Sequence, residues 1–160
     1  MTTLIVTGTP GTGKTTVAKK LARLLDYTYI DVNNVISKHN LSQGYDRSRR
    51  CKIIDTSQLN KELRKIIKQH DNTIIDSHLS HFLPQSSVDL CLITRCNLKL
   101  LSSRLKRRGY PKSKIDENLE VELMEIIPNE VAQKGHDYIF VDTDKKIEYE
   151  RLIKKIKRSI

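Results

Sequence analysis

Residues 8–15 read Gly8-Thr9-Pro10-Gly11-Thr12-Gly13-Lys14-Thr15, which fits the pattern G-x-x-x-x-G-K-[ST] without departure. The apolar run Leu4–Val6 before it predicts a buried strand. After it, Val17–Leu25 predicts a helix with one apolar face. A glycine loop can arise by chance, but a loop of this spacing between a strand and a helix can surround a phosphate with backbone N–H groups. The stretch therefore predicts a phosphate-binding loop (P-loop).

The side chains at the end of this loop have distinct chemical uses. Lys14 supplies a positive charge for the β- and γ-phosphates of a nucleotide, and the Thr15 hydroxyl is a suitable Mg²⁺ ligand. The helix that follows adds its free N–H groups and the positive end of its dipole. The sequence thus predicts ATP as a ligand and Mg²⁺ as the cofactor.

The composition indicates one soluble domain with an excess of positive charge. The 160 residues include 29 Lys and Arg against 19 Asp and Glu, for a net charge of +10. The apolar runs are too short to cross a bilayer, and the N-terminus leads directly into a strand, so no membrane partner or secretory signal is expected. The charge favours polyanionic partners such as RNA, but an enzyme of nucleotides needs positive charge too, and charge alone does not separate the two.

The three cysteines, Cys51, Cys91 and Cys96, are odd in number and not spaced as metal ligands. Cys91 lies in the apolar run Leu90–Ile93, which predicts a small core residue. Reduced thiols and a cytoplasmic location are therefore expected.

Strand and helix patterns alternate along the whole chain. Strands are predicted at Thr3–Thr7, Tyr27–Val32, Thr73–Asp76, Val88–Thr94 and Tyr138–Asp142, and helices at Gly13–Leu25, Ser57–Gln69, Asn97–Arg108, Ile115–Lys134 and Lys145–Ser159. Pro128 should kink or divide the fourth of these helices. The alternation predicts a three-layer α/β fold with a five-stranded parallel sheet and helices on both faces.

Two insertions interrupt this alternation, at Asn33–Asp55 and Gly109–Lys114. Both could be ordinary surface loops. Because ligands of such sheets bind beyond the carboxyl ends of the strands, we favour mobile covers for two substrates.

Acidic and histidine side chains follow the third predicted strand. Asp76 ends an apolar run, where it could be a turn cap, but a P-loop enzyme places its Mg²⁺-ordering carboxylate at such a strand end. His78, two residues later, could position water or an attacking oxygen. His81 follows, with its direction undetermined by the sequence.

A basic cluster precedes the second insertion: Arg104, Lys106, Arg107 and Arg108. Guanidinium groups can stabilise the charge of phosphoryl transfer. A solvated helix end is the alternative, and for any single residue the two interpretations stay open.

Four stretches besides the P-loop form a recognisable set: Leu41–Asp46, Ile75–His78, Arg104–Tyr110 and Lys114–Glu120. Together these motifs resemble the adenylate kinase isoenzyme 6 family and its archaeal members, which are small adenylate kinases and ATPases tied to small-ribosomal-subunit maturation. The resemblance covers nearly the whole chain and implies transfer of the ATP γ-phosphoryl group to AMP, with ATP hydrolysis as a second activity.

The resemblance also implies a set of positions within one domain of residues 1–160. It implies an AMP-binding arm at Asn33–Ile54 and a short lid at Arg107–Glu117. This lid has no cysteines, so no zinc is expected there. Contacts to ATP are implied for Gly11, Gly13, Lys14, Thr15, Thr16 and Arg108, a catalytic pair for Asp76 and His78, Mg²⁺ binding for Thr15 and Asp76, and AMP binding for Tyr45 and Asp46. The arm arginine that the family often uses for the AMP phosphate is missing from this sequence. Lys38 is the candidate substitute for AMP binding, although it offers a point charge rather than a bidentate group.

The implied partners are the small-subunit protein uS11 and rRNA, and a monomer is expected. The C-terminal segment from Lys145 to Arg158 is rich in Lys and Arg and could be either an RNA-binding face or a solubilising surface. Two other functions stay open: a P-loop kinase of another nucleotide or small metabolite, and a ribosome-assembly ATPase whose kinase activity is incidental.

Overall fold

The computed structural model describes residues 1–47 and 51–160. Its strands are β1 Thr2–Thr7, β2 Thr28–Asp31, β3 Ser42–Asp46, β4 Cys51–Ile54, β5 Asn72–Asp76, β6 Leu90–Arg95 and β7 Tyr138–Asp142. The α-helices are α1 Lys14–Leu25, α2 Val32–Lys38, α3 Thr56–Ile67, α4 Leu98–Arg107, α5 Lys112–Leu123, α6 Ile126–Gln133 and α7 Tyr149–Ser159. Two short 3₁₀ turns lie at Ser80–Phe82 and Gln85–Ser87.

Five of these strands form one parallel sheet in the order β2-β5-β1-β6-β7. The side chains of β1 alternate between two apolar cores: Ile5 packs with α2, α3 and α6, whereas Leu4 and Val6 pack with α1 and α7. Because strand residues alternate between the faces of a sheet, these cores lie on opposite faces. The predicted three-layer α/β fold is confirmed.

The order of the strands brings the predicted site residues together. β1 lies between β5 and β6, and Val6 at its carboxyl end is in register with Asp76 of β5. The P-loop leaves β1 two residues after Val6, so Asp76 and the loop meet at one edge of the sheet.

The insertion Asn33–Asp55 is more structured than the predicted loop. It contains most of α2 and the antiparallel hairpin β3–β4. The strand before it ends earlier than predicted, because the Asp31 carboxylate caps α2 by accepting a hydrogen bond from the Asn33 N–H at 2.9 Å. Residues 48–50, within the proposed arm, lie outside the described residues.

The helix predicted at Ile115–Lys134 is two helices. The division falls at Met124–Glu125, where Glu125 has the left-handed backbone angle φ 50°. Pro128, which we expected to interrupt the helix, lies in the first turn of α6, where its missing N–H removes no helical hydrogen bond. Across the described ranges, no helix has the length and apolar character that a membrane crossing requires.

Candidate nucleotide site

The P-loop fits against its neighbours so closely that two of its positions require glycine. A Cβ atom at Gly8, where φ is 139°, would lie 2.4 Å from the backbone oxygen of Thr94. At Gly11, where φ is 96°, it would lie 2.8 Å from the Leu101 side chain. A side chain at either position would be strained both by its backbone angle and by contact.

Hydrogen bonds from distant residues hold the loop in this shape. The Thr143 hydroxyl, just after β7, donates to the Thr12 carbonyl at 2.7 Å. Arg104 of α4 donates to the Gly11 carbonyl at 3.3 Å and to the Thr143 carbonyl at 2.9 Å. Arg104 therefore ties the loop to β7, a role that its place in a basic cluster did not reveal.

A second tether joins the loop to α5. The Thr9 hydroxyl donates to Glu122 Oε2 at 2.5 Å, and the Cys96 N–H donates to Glu122 Oε1 at 3.3 Å. Thr9 is fully buried, so its hydroxyl needs a partner within the protein. Glu122 fixes the start of the loop from a helix more than a hundred residues away.

The Lys14 side chain folds back over the P-loop and binds backbone carbonyls of the loop. Its ammonium group donates to the carbonyls of Gly8 at 2.8 Å and Thr9 at 3.1 Å. Burial lowers the pKa of Lys14 to about 8, while the nearby carboxylate of Asp76 opposes this shift. A phosphate group bound in the loop would raise the pKa of Lys14 again and favour the charged ammonium.

Asp76 is buried at the end of β5 and held by a tyrosine. The Tyr29 hydroxyl donates to Asp76 Oδ2 at 2.9 Å. Burial and this acceptor raise the pKa of Tyr29, so the phenol stays protonated as a donor. Sequence reasoning missed Tyr29, because the pairing of β2 with β5 places it there.

Hard oxygen ligands suited to Mg²⁺ meet in this cleft. Asp76 and Thr15 line the same cavity, and Mg²⁺ commonly takes one or two protein oxygens and keeps several waters. No cluster of three or more His, Cys, Asp or Glu that could hold a metal occurs among residues 1–47 and 51–160. The donor set therefore fits a cation shared with phosphates.

The two histidines after β5 have different surroundings. His78 lines the cleft; desolvation and the charges of Lys14, His81 and Lys114 lower its pKa, although the residue is exposed at the rim. His81 is buried, with Nδ1 3.1 Å from the Thr7 hydroxyl and Nε2 2.9 Å from Glu130. His78 is thus the histidine available to a ligand.

All predicted ATP-site residues line one cavity of about 340 Å³. Its walls include Gly11, Gly13, Lys14, Thr15, Thr16, Asp76, His78 and Arg108. A second cavity of about 690 Å³ shares Gly11, Gly13, Thr16 and Arg108 with the first and extends between α1, α4 and the segment 145–149. The glycine loop therefore lies between a phosphate-sized cleft and a larger cavity.

Comparisons with known proteins agree with this arrangement. The AAA domain family matches residues 4–125. The adenylate kinase isoenzyme 6 homolog FAP7 of Saccharomyces cerevisiae is 35% identical over 140 residues, which cover 87% of this chain and 71% of the relative. The isoenzyme 6 homolog of Dictyostelium discoideum is 31% identical over 139 residues, which cover 87% and 79%.

The chain belongs to the adenylate kinase isoenzyme 6 family. The deoxyadenosine kinase of M. mycoides with bound dATP has a TM-score of 0.60 at 15% identity, covering 98% of this chain and 100% of that one. A likeness at this identity shows the fold alone, which is that of a P-loop kinase.

The residues that the family resemblance gave to AMP lie away from the P-loop cleft. Lys38 lines a separate groove of about 580 Å³ between β2, α2 and α3. Tyr45 projects from the hairpin with 58% of its surface exposed, and Asp46 lies at the end of the same strand. None of these three side chains lines the cleft that holds Lys14 and Asp76.

Proposed function

We propose that the protein is an adenylate kinase that transfers the γ-phosphoryl group of ATP to AMP and forms two molecules of ADP. The observation that carries this proposal is the single cleft in which the P-loop, Asp76, His78 and Arg108 meet. Family membership supports it, since the relatives named above are adenylate kinase homologs.

The roles of the cleft residues follow from their chemistry. The loop N–H groups and Lys14 would bind the β- and γ-phosphates, and Thr15 and Asp76 would hold Mg²⁺, which neutralises phosphate charge when bound. Tyr29 holds the Asp76 carboxylate in place. Arg108 lies at the end of α4 and borders both cavities, so it can reach the phosphates from the proposed lid, residues 107–117.

The larger cavity is the candidate site for the adenosine of ATP. It begins at the same glycines as the phosphate cleft, and its lining, among the described residues, combines Val17, Ile147 and Tyr149 with six Lys and Arg side chains. Apolar and aromatic side chains beside polar groups are typical of nucleotide pockets, and the cations suit the phosphates. A base lying there would leave its phosphates on the loop.

The acceptor would bind under the arm, residues 33–54. We assign Lys38, Tyr45 and Asp46 to AMP on family resemblance, and the arm must close over the cleft for them to reach it. If Lys38 binds the AMP phosphate, Lys38→Ala should raise the KM for AMP without changing the KM for ATP. Lys65→Ala is the matched control, because Lys65 lines the same groove and pairs with Glu62 at 2.8 Å. If both variants change the KM for AMP equally, Lys38 does not bind the AMP phosphate.

Hydrolysis of ATP is proposed as a second activity of the same cleft. A neutral imidazole can accept a proton or orient water, and the lowered pKa keeps His78 neutral at pH 7. Water would then take the place of the acceptor oxygen.

The experiment that tests the kinase proposal is ADP formation with Mg²⁺ and ATP alone, and then with ATP plus AMP, GMP, CMP, UMP or shikimate in turn. We expect AMP to give the largest increase over ATP alone. A larger increase with another acceptor would make the protein a different P-loop kinase. Turnover with ATP alone that no acceptor increases would favour the assembly-ATPase alternative.

The exposed face of α7 supports a second role, in small-ribosomal-subunit maturation, with uS11 and rRNA as partners. Leu152 and Ile156 anchor the helix, while Lys154, Lys155 and Lys157 are exposed. Contacts between such cations and RNA phosphates weaken steeply with salt.

Charge reversal tests this role. Lys154→Glu, Lys155→Glu and Lys157→Glu together should reduce binding to rRNA or to a uS11–rRNA complex and leave ATP binding unchanged. The matched control reverses three exposed cations of α3 and its C-cap: Lys61, Arg64 and Lys68. If the affinity for RNA is unchanged by the α7 charge reversal, or does not depend on salt concentration, the exposed face of α7 is only a solvated surface.

A further inference from the structure

Large apolar side chains lie on the surface where α5 meets α6. Leu123 is 65% exposed and Met124 is 60% exposed. With Leu98, which is 36% exposed, they line a cavity of about 430 Å³. Scattered exposed apolar residues are ordinary, but a contiguous group around a concavity is typical of an interaction site.

The turn between the two helices is the reason for this exposure. α5 buries Ile115 in its first turns, and α6 buries Ile127 and Val131. Between them, Glu125 adopts a left-handed conformation where α5 gives way to α6, and Leu123 and Met124 are exposed at this corner. A non-glycine residue adopts this conformation at some energetic cost.

Acidic side chains surround the apolar group. Among the residues that the structure describes, 1–47 and 51–160, the cavity lining has four carboxylates, those of Glu122, Glu125, Asp142 and Asp144, and one cation, Arg95. Arg95 pairs with Asp142 at 2.6 Å, which leaves an excess of negative charge. This local charge is opposite to the net charge of +10 of the whole chain.

We infer that this acidic corner, formed by Leu98, Leu123, Met124, Glu125 and Asp144, binds a basic amphipathic segment of a partner protein. Leucine-like side chains of that segment would enter the cavity, and its Lys or Arg would face the carboxylates. The acidic rim disfavours nucleic acid and anionic lipid, because like charges brought together across an interface are repelled. The inference is independent of the acceptor nucleotide and of the basic face of α7.

The corner is also separate from the nucleotide cavities. Leu98, Leu123, Met124, Glu125 and Asp144 line neither the phosphate cleft nor the larger cavity beside it. Substitutions at Leu123, Met124 and Glu125 can therefore test partner binding without removing a proposed catalytic group.

The probe is a fluorescently labelled, amidated peptide of Leu and Lys at helical spacing. One control peptide has the same composition in an order that breaks the spacing, and another replaces Lys with Glu. Anisotropy titration gives the Kd, and amide NMR shifts locate the peptide. We expect shifts at Leu98 and residues 123–126, with the helically spaced basic peptide binding at least about tenfold more tightly than either control.

Two variants and two matched controls assign the binding to the corner. Leu123→Ser combined with Met124→Ser should raise the Kd for the peptide about tenfold, because the apolar contacts are lost. Glu125→Lys should raise this Kd about threefold at low salt and less at high salt. Leu24→Ser removes an apolar side chain that is 46% exposed on α1, and Glu150→Lys reverses an exposed charge on α7; neither should change the Kd. Thermal melting checks that all four variants fold.

Four results would overturn the inference. The first is no binding up to about 1 mM peptide, the weakest affinity of interest. The second is an affinity that the double serine variant does not change. The third is a concentration-dependent dimer that this variant abolishes, which would assign the corner to a second copy of the chain. The fourth is binding of an RNA oligonucleotide that the same variant removes.

Discussion

Arg104→Met tests whether the tether between the P-loop and β7 matters for stability and for ATP. Methionine keeps an unbranched apolar stem but removes three hydrogen bonds, to the Gly11 carbonyl at 3.3 Å, the Thr143 hydroxyl at 3.0 Å and the Thr143 carbonyl at 2.9 Å. A hydrogen bond to a charged group contributes about 1.5–3 kcal/mol, and because Arg104 is only partly buried we expect a total loss of about 2 kcal/mol.

For a chain of this length, that loss should lower Tm by about 4–8 °C. The KM for ATP should rise about tenfold, because the loop would no longer be held in the shape that surrounds a phosphate. Calorimetry and initial rates of ADP formation measure the two quantities. Thr143 retains its own hydrogen bond to Thr12, so the loop should loosen rather than unfold.

Lys106→Met is the control, since Lys106 is an exposed cation on the same helix and its loss should cost less than about 0.5 kcal/mol. If Arg104→Met melts and binds ATP like Lys106→Met, the tether contributes nothing and Arg104 is a solvated charge. A normal Tm with a raised KM would place Arg104 on the nucleotide rather than on the loop.

Four further outcomes follow from the site. Lys14→Ala should lower kcat by about two orders of magnitude or more with little change in Tm, and unchanged ADP formation would refute its role in the transition state. Arg108→Ala should lower kcat more than it weakens ADP binding by titration, because a lid residue acts when the lid is closed; normal turnover would make it a helix-end charge. His78→Ala should reduce hydrolysis of ATP more than phosphorylation of AMP, and equal losses would reject a role in orienting water. Burial lowers the pKa of His81, so the unfolded chain takes up the proton more readily and the free energy of unfolding should fall as pH drops below about 6.5. Denaturant titrations at several pH values should show that the free energy of unfolding of His81→Asn depends less on pH. Identical pH dependence in the two proteins would exclude His81 as its source.

The sequence predicted the P-loop and its helix because the residues that carry that chemistry are consecutive. Asp76 could be predicted as well, since it ends an apolar strand and parallel strands share their carboxyl edge. Tyr29, Glu122 and Thr143 could not be predicted, because each reaches the site from a distant position and their types, a tyrosine, a carboxylate and a hydroxyl, are common on surfaces.

The acidic corner could not be predicted from the sequence for a different reason. The sequence predicts one helical segment from Ile115 to Lys134, with its kink or division at Pro128 rather than at residues 124–125. Glu125 divides the segment without the glycine that usually marks a left-handed residue, and no local pattern signals the division. Only the packing of α6 against the sheet shows which side chains remain outside.

The hydrogen bond between Thr9 and Glu122 has a mechanical consequence. Glu122 lies in the last turn of α5, while the first turns of that helix, from Lys112, belong to the proposed lid. At 1.5 Å per residue, the helix is a rod of about 18 Å whose far end is pinned to the loop. A tilt of about 10° about that pin would move the lid end by about 3 Å and leave the pinned end in place. Such a rod would work as a lever with its fulcrum at the phosphate loop, so that lid closure and loop geometry share one pivot.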